Sequence, residues 1–260
     1  MLGTLRVVRV GSVTLERLAG EPGKPGRVHS VFDRAVNVIW GDGRLLTLHG
    51  PGLLAAPFAI ALVGLPARAA LAPGMIIGRS NFAWAEARCV RLEMPVGPLG
   101  FDMDGLPEAP CGRALTEGAG LAAREALERG IAARDGRVLA DAACALIGLG
   151  EGLTPAGDDC VLGALAALHR LAPGHLLAPG GPRDRLTGAA RGRTTDIARD
   201  FLLEALDGRF AEPVLALLIA GSDDDAGPAA RRLLALGATS GADTLCGIRL
   251  ACRALGAARQ

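Results

Sequence analysis

Tyrosine is missing from the 260 residues, and only two tryptophans and six phenylalanines supply aromatic rings. Single-stranded nucleic-acid sites use aromatic stacking platforms in a basic groove. A formal charge of +1 gives no electrostatic footprint for a nucleic acid either. No C-x-x-C pair occurs among Cys89, Cys111, Cys144, Cys160, Cys246 and Cys252, so a structural zinc site is not signalled. Several of these cysteines lie in alanine-rich runs and read as small buried hydrophobes. No basic start leads into an apolar core and cleavage site, which predicts no signal peptide. The longest apolar run, Leu53 to Leu65, is interrupted by Pro57 and falls short of the ~20 residues a membrane span needs. These absences point to a protein of a reducing cytoplasm with no nucleic-acid or membrane partner.

Half of the residues are hydrophobic, enough for one large domain or two modest ones with a real core. The first hundred residues read as short strands rich in Val, Ile and Leu, broken by Gly, Pro and Asp. "TLRVVRV" and "VTLERL" flank Gly11-Ser12 as a hairpin would. "AVNVIW", "RLLTLHG", "FAIALVGL", "GMIIG" and "ARCVRLEM" continue the pattern, and residues 20–26 form a loop by composition. From about Gly112 the chain turns to alanine-rich segments at helical spacing, which predicts six or seven helices. Residues 173–185 read as a loop between two of them. The expected fold is α+β: a mostly antiparallel β-rich domain over 1–111, then an α-helical layer over 112–260 with an internal pseudo-repeat.

The chemistry-bearing stretch is "GLGEGLTPAGDDCVLG", Gly148 to Gly163. No Lys-Ser/Thr closes its glycines, so it is not a phosphate-binding P-loop. A helix precedes it where a dinucleotide fingerprint needs a strand. Thr154 suits an N-cap and Pro155 the first helical position. Asp158 and Asp159 then fall near the positive end of the helix dipole, where each would add ~0.3–1 kcal/mol. Capping alone accounts for them.

A second copy changes that balance. Gly157-Asp158-Asp159-Cys160-Val161-Leu162-Gly163 aligns with Gly241-Ala242-Asp243-Thr244-Leu245-Cys246-Gly247, both reading G-x-D-x-x-x-G. Hydroxyl residues precede both, Thr154 in one and Thr239 with Ser240 in the other, and Ser240-x-x-Asp243 has capping-box spacing. Coincidence in a Gly- and Ala-rich chain is one explanation; an internal duplication with two equivalent helix starts is the other. Two such starts, if they face each other, offer free backbone N–H groups to an anion and carboxylates to an NH2-bearing group. The residues placed in this site are Asp158, Asp159 and Asp243 as catalytic groups, with Gly150, Gly152, Thr154, Gly157, Thr239, Ser240 and Gly241 binding substrate or anion. Arg193, Thr194 and Thr195, in "RGRTTDIARDFL", join them because an arginine can grip a carboxylate or phosphate bidentately; a solvated helix end is the plainer reading. Arg34 and Asn37 are weaker candidates, and an exposed strand face explains them equally well. No metal ligand set is assigned, although Mg²⁺ stays open as a ligand of the aspartates. His29, His49, His169 and His175 are unpaired at ligand spacing, and His169 reads as a helix C-terminal residue. Asp223 to Asp225 read as a solvated loop.

At "SVFDRAVNV", "GLGEGLTPAGDD", "RTTDIARDFL" and "LGATSGADTLCGI" the sequence resembles the bacterial family of the AllH-type subunit of oxamate carbamoyltransferase, in order from about residue 28 to 255. Glu151 and Ala156 stand where the family's common motif has proline and serine. The resemblance implies phosphorolysis of oxalurate to oxamate and carbamoyl phosphate, within allantoin catabolism, beside two other subunit types. It implies no cofactor and carries over no residue-level role. Three readings follow: a carbamoyltransferase subunit acting on a small anion, a Mg²⁺-dependent hydrolase of a small anionic or amide substrate, and a non-catalytic subunit that positions a partner.

Overall fold

The computed structural model describes residues 3–20, 24–172, 174 and 180–256, in two compact units that divide between Leu92 and Glu93. The loop expected at 20–26 and the one at 173–185 lie partly outside the described residues, and His175 wholly so. Residues 93–111, grouped with the strands by composition, belong to the helical unit.

In the first unit β1 (Leu5–Gly11) is followed by α1 (Ser12–Gly20), then β2 (Gly26–Val31), β3 (Ala35–Ile39), β4 (Leu45–His49), β5 (Ala59–Leu62), β6 (Ile76–Ile77), β7 (Phe82–Ala83) and β8 (Arg88–Val90). They form an eight-stranded sheet in the order β6-β2-β3-β4-β5-β1-β7, with β8 also on β1. The β1–β5, β2–β3, β2–β6 and β3–β4 ladders are antiparallel; β4–β5, β1–β7 and β1–β8 are parallel. The hairpin expected at Gly11-Ser12 does not form. Leu15 and Leu18, three apart, pack inward from a helix, and buried Thr14 donates its hydroxyl to the Pro57 carbonyl. Alternation in "VTLERL" also fits an i, i+3 helix stripe, and tertiary packing decides for the helix.

The core of this unit is Val7, Val10, Val28, Val36, Val38, Leu48, Ile60 and Leu62 with their neighbours. Asn37 is buried at 4% exposure, not set on an exposed strand face. Its amide donates to Ser30 Oγ (3.2 Å) and accepts from Thr47 Oγ1 (2.8 Å), the residues directly opposite on β2 and β4. A buried amide needs such partners, and here they form a polar row across three strands. Arg34 is exposed at the turn before β3.

The second unit holds α2 (Gly118–Ala132), α3 (Gly136–Leu146), α4 (Ala156–Leu171), α5 (Pro182–Arg193), α6 (Asp196–Leu206), α7 (Glu212–Leu218), α8 (Asp223–Leu234) and α9 (Ser240–Ala254). The expected six or seven helices leave out α5, whose first turn falls in the loop expected at 173–185. Its composition is polar, and only Leu186, Ala189 and Ala190 face inward. Asp223 to Asp225 are solvent-exposed as expected but form the first turn of α8, where Ser222 accepts from the Asp225 N–H (3.3 Å). Such a cap and three acids suit a helix N-terminus.

Every residue of α4 from Ala156 to Leu168 is buried, and it packs against α3, α6, α7 and α9. A helix apolar all round belongs in the middle of a bundle. Its contact with α9 is reciprocal. A methyl on Gly163 would stand 2.0 Å from the Thr244 carbonyl oxygen, and one on Gly247 would stand 1.9 Å from that of Cys160. Thr244 and Cys160 occupy equivalent places in the two motif copies. The same correspondence continues outward: Gly157 lies against the Leu146 carbonyl and Gly241 against that of Leu233, each 2.0 Å from where a Cβ would be. The last glycine of each G-x-D-x-x-x-G thus lets the backbones of α4 and α9 approach, and the first seats each helix on its predecessor. This is the geometry of a duplicated helix pair.

Candidate functional site

The glycines of "GLGEG" wind the loop before α4. Gly148, Gly150 and Gly152 all take positive φ, at 83°, 115° and 94°, a region costly to any residue with a Cβ. Pro155, not Thr154, sits at the helix N-cap, and its carbonyl accepts from the Asp158 and Asp159 N–H groups at 2.9 and 3.2 Å. Thr154 caps nothing. Its hydroxyl instead reaches Ser240 Oγ at 2.8 Å, which joins the first motif copy to the second. Ser240 likewise lies inside α9, whose N-cap is Thr239 without a side-chain capping bond.

The aspartates are buried, at 2% exposure for Asp158, 7% for Asp159 and 0% for Asp243. Solvated dipole partners they are not, because desolvation outweighs the dipole. Burial pushes the Asp158 carboxyl up to about 6 against the opposing hydrogen bonds. Its Oδ2 accepts from Thr194 Oγ1 (2.9 Å) and the Gly148 N–H (3.1 Å), which ties the glycine loop and the α5–α6 junction to α4. Burial pushes Asp159 further, to about 8, against the Ser240 and Thr154 hydroxyls, and the charges of Asp243 and Asp158 add to the rise. Burial also raises Asp243, opposed by the Gly112 N–H and the Thr239 hydroxyl. The Gly112 N–H donates to Asp243 Oδ1 at 2.6 Å. One oxygen of each, Asp158 Oδ1, Asp159 Oδ2 and Asp243 Oδ2, is buried without a hydrogen-bond partner. An orphaned carboxylate oxygen inside a protein is costly, and protonation or a ligand relieves it.

Of the three, Asp159 lines a cavity of about 540 Å³. Gly152, Thr154, Thr239 and Ser240 line it too. Gly150, Gly157, Gly241, Asp158, Asp243, Arg193, Thr194 and Thr195 do not, and they act as supports. Arg193 is exposed and donates to the Cys144 carbonyl at 2.7 Å, so it offers no grip on a ligand there. Thr195 caps α6 through the Ala198 N–H (3.1 Å) and donates to the Leu153 carbonyl.

Sequence reasoning missed most of the wall: Leu162 of α4, Ile197 and Phe201 of α6, Phe210, Val214 of α7 and Leu236. Ile197 and Phe201 recur at i, i+4, a second apolar stripe beside the buried one of Ala198, Leu202 and Ala205, and that was the available signal. Arg209 also lines the cavity, and the carboxylates of Glu204 and Asp207 hold its guanidinium. Glu204 is itself buried at 1% exposure. His169, expected to complement the α4 dipole as a cation, is instead pushed down by burial and packs its ring 5.8 Å from Phe210. Among the described residues no three His, Cys, Asp or Glu side chains gather as a metal site; a Mg²⁺ ion held by one or two carboxylates and a substrate oxyanion would draw on Asp158, Asp159 or Asp243. Among the described residues no helix is long and apolar enough to cross a membrane.

Residues 146–252, which carry both motif copies and the cavity, match the family described as oxamate carbamoyltransferase subunit AllH. Residues 6–93, the sheet unit, match the AllH family N-terminal domain. No curated protein and no solved structure matches the chain. With both matches in sequence order over most of its length, the chain belongs to the AllH family of oxamate carbamoyltransferase subunits.

Proposed function

We propose that this chain binds the carbamoyl group in a carbamoyltransferase that converts oxalurate and phosphate to oxamate and carbamoyl phosphate, as a step of allantoin breakdown, together with two other subunit types. The observation that carries the reading is the Asp159 carboxyl: buried, with an unpartnered oxygen, on a cavity wall beside the Thr154 and Ser240 hydroxyls. With its pKa near 8, Asp159 is mostly protonated at neutral pH. A neutral carboxyl can donate to a carbonyl or hand on a proton, as an ionised one cannot.

The reaction then balances. A phosphate oxygen attacks the carbamoyl carbon, and the C–N bond to the oxamate nitrogen breaks. That nitrogen takes the Asp159 proton, and the phosphate hydroxyl returns one. Thr154 and Ser240 orient the carbamoyl NH2 and oxygen, and no covalent nucleophile is needed. Charge developing on the carbamoyl oxygen is stabilised by fixed hydrogen-bond donors on the cavity wall. Arg209 is neutralised by Glu204 and Asp207, so the anionic ends fall to the partner subunits.

The apolar wall favours a second reading, in which the cavity receives a partner subunit's apolar segment and the chain only positions it. The pH profile separates the two. In the assembled enzyme, kcat/KM for oxalurate phosphorolysis should be level below about pH 8 and fall about tenfold per unit above it, as Asp159 loses its proton. A profile flat to pH 9.5 contradicts the acid role and leaves the positioning role.

A further inference from the structure

The face of α9 turned away from Ser240 and Thr244 borders a different cavity, of about 200 Å³. Ala242, Cys246, Arg249 and Arg253 fall on one stripe of the helix at i, i+4, i+7 and i+11. Arg124 from α2 and Cys111 from the segment before Gly112 complete the wall.

Its charge is one-sided. Arg253, largely exposed, approaches the half-buried Glu128 at 3.4 Å. Arg249 is turned by the Leu106 and Pro107 carbonyls, both accepting from Nη2 at 2.8 and 3.2 Å. Arg124 points Nη1 at Cys246 Sγ, 3.8 Å away. Among the described residues neither Arg124 nor Arg249 is bonded to a carboxylate; three guanidiniums face this space, and the carboxylates beside it are Glu128, paired with Arg253, and Asp243, bonded to the Gly112 N–H. The thiols do not balance them. Cys246 is lowered by its contact with Cys111, but its contact with Cys160 and burial push it up, to about 11. Cys111 is raised by its contact with Cys246 and by burial. Both are neutral at pH 7. Guanidiniums gathered round a concave space without their own acids recognise oxyanions through paired N–H donors.

We propose that the Arg124–Arg249–Arg253 cavity is an anion site that takes a small oxyanion, phosphate or a short carboxylate. The site does not rest on the proposed reaction, because it lies on the opposite face of α9 from Asp159. It borders the segment that holds Asp243 through Gly112, so an occupant would brace that contact.

Cys246 reports on occupancy. N-ethylmaleimide labelling of the full chain at pH 8, resolved by peptide mass spectrometry, is followed in sodium phosphate, in sodium oxamate, and in sodium chloride of equal ionic strength. At millimolar concentration one oxyanion should slow labelling of Cys246 at least fivefold relative to chloride, with Cys89 unaffected; the more protective salt identifies the anion. R124Q should abolish the protection. R253Q, whose side chain is largely exposed and does not bear on folding, should weaken it several-fold, and melting temperatures in chloride verify that both variants fold. Equal labelling in all three salts overturns the proposal, as does protection that survives in R124Q and R253Q alike.

Discussion

The two helix starts share their packing and differ in what surrounds it. Before α4, three positive-φ glycines wind a loop onto a helix carrying adjacent aspartates. Before α9, the turn is short, Gly237 alone takes positive φ (58°), and Ala242 replaces the first aspartate. Asp159 and Asp243 occupy the same place in the repeat. Each keeps one oxygen unpartnered, yet Asp159 lines the large cavity, whereas Asp243 clamps the Gly112 backbone with its other oxygen. A duplicated packing unit can thus keep its glycines for close approach while one copy turns its carboxyl to a cavity and the other to the scaffold.

The shared half of the comparison breaks most severely at the crossing. Gly163→Ala and Gly247→Ala each force a Cβ to within about 2 Å of a backbone carbonyl. Each should cost about 3 kcal/mol and lower the melting temperature by ~6–12 °C. Near-equal losses in thermal or urea unfolding confirm the reciprocity; a loss at only one glycine breaks it.

The differing half shows in the pH dependence of stability. Asp159 has a folded-state pKa near 8 and an unfolded one near the usual carboxylate value. Between these the folded protein keeps a proton that the unfolded chain has lost, so stability present below about pH 4 declines as pH rises to about 8. Asp159→Asn removes the ionisation. Its stability relative to the parent should therefore rise from pH 5 to pH 8, by on the order of 4 kcal/mol, read from urea midpoints at the two pH values. A difference unchanged with pH would mean that the Asp159 carboxyl is not held neutral.

The clamp at Asp158 is a smaller effect. Thr194→Val deletes the hydroxyl bonded to its Oδ2 and should cost about 1 kcal/mol. The rate of the assembled enzyme should stay within about threefold, since Thr194 is not on the cavity wall.

The duplication was legible because it is written in glycines, and glycines at a helix crossing leave a spacing that no other residue can fill. The α-layer was legible from apolar periodicity for the same reason that α4 is buried: its sequence has no polar face after Asp159. The capping roles of Thr154 and Ser240 were misread because a hydroxyl before a helix has two uses, and only the approach of the second helix start selects the other. Arg193 lies off the cavity wall for a similar reason: its guanidinium turns to the Cys144 carbonyl. Gly112 gave no signal at all: its bond to Asp243 spans 131 residues, and a backbone N–H leaves no mark on side-chain pattern. The loss of the Gly11-Ser12 hairpin reflects the ambiguity of short apolar runs, settled by burial of Thr14 and Leu18.

The most direct test sets the two equivalent aspartates against each other in the assembled enzyme, with formation of carbamoyl phosphate from oxalurate and phosphate as the readout. Asp159→Asn should lower kcat by about 100-fold while melting no lower than the parent near pH 8. Asp243→Asn, which keeps an oxygen for the Gly112 N–H, should stay within about threefold. A fully active Asp159→Asn, or an equal loss in both variants, would contradict the assignment of the reaction to the first copy.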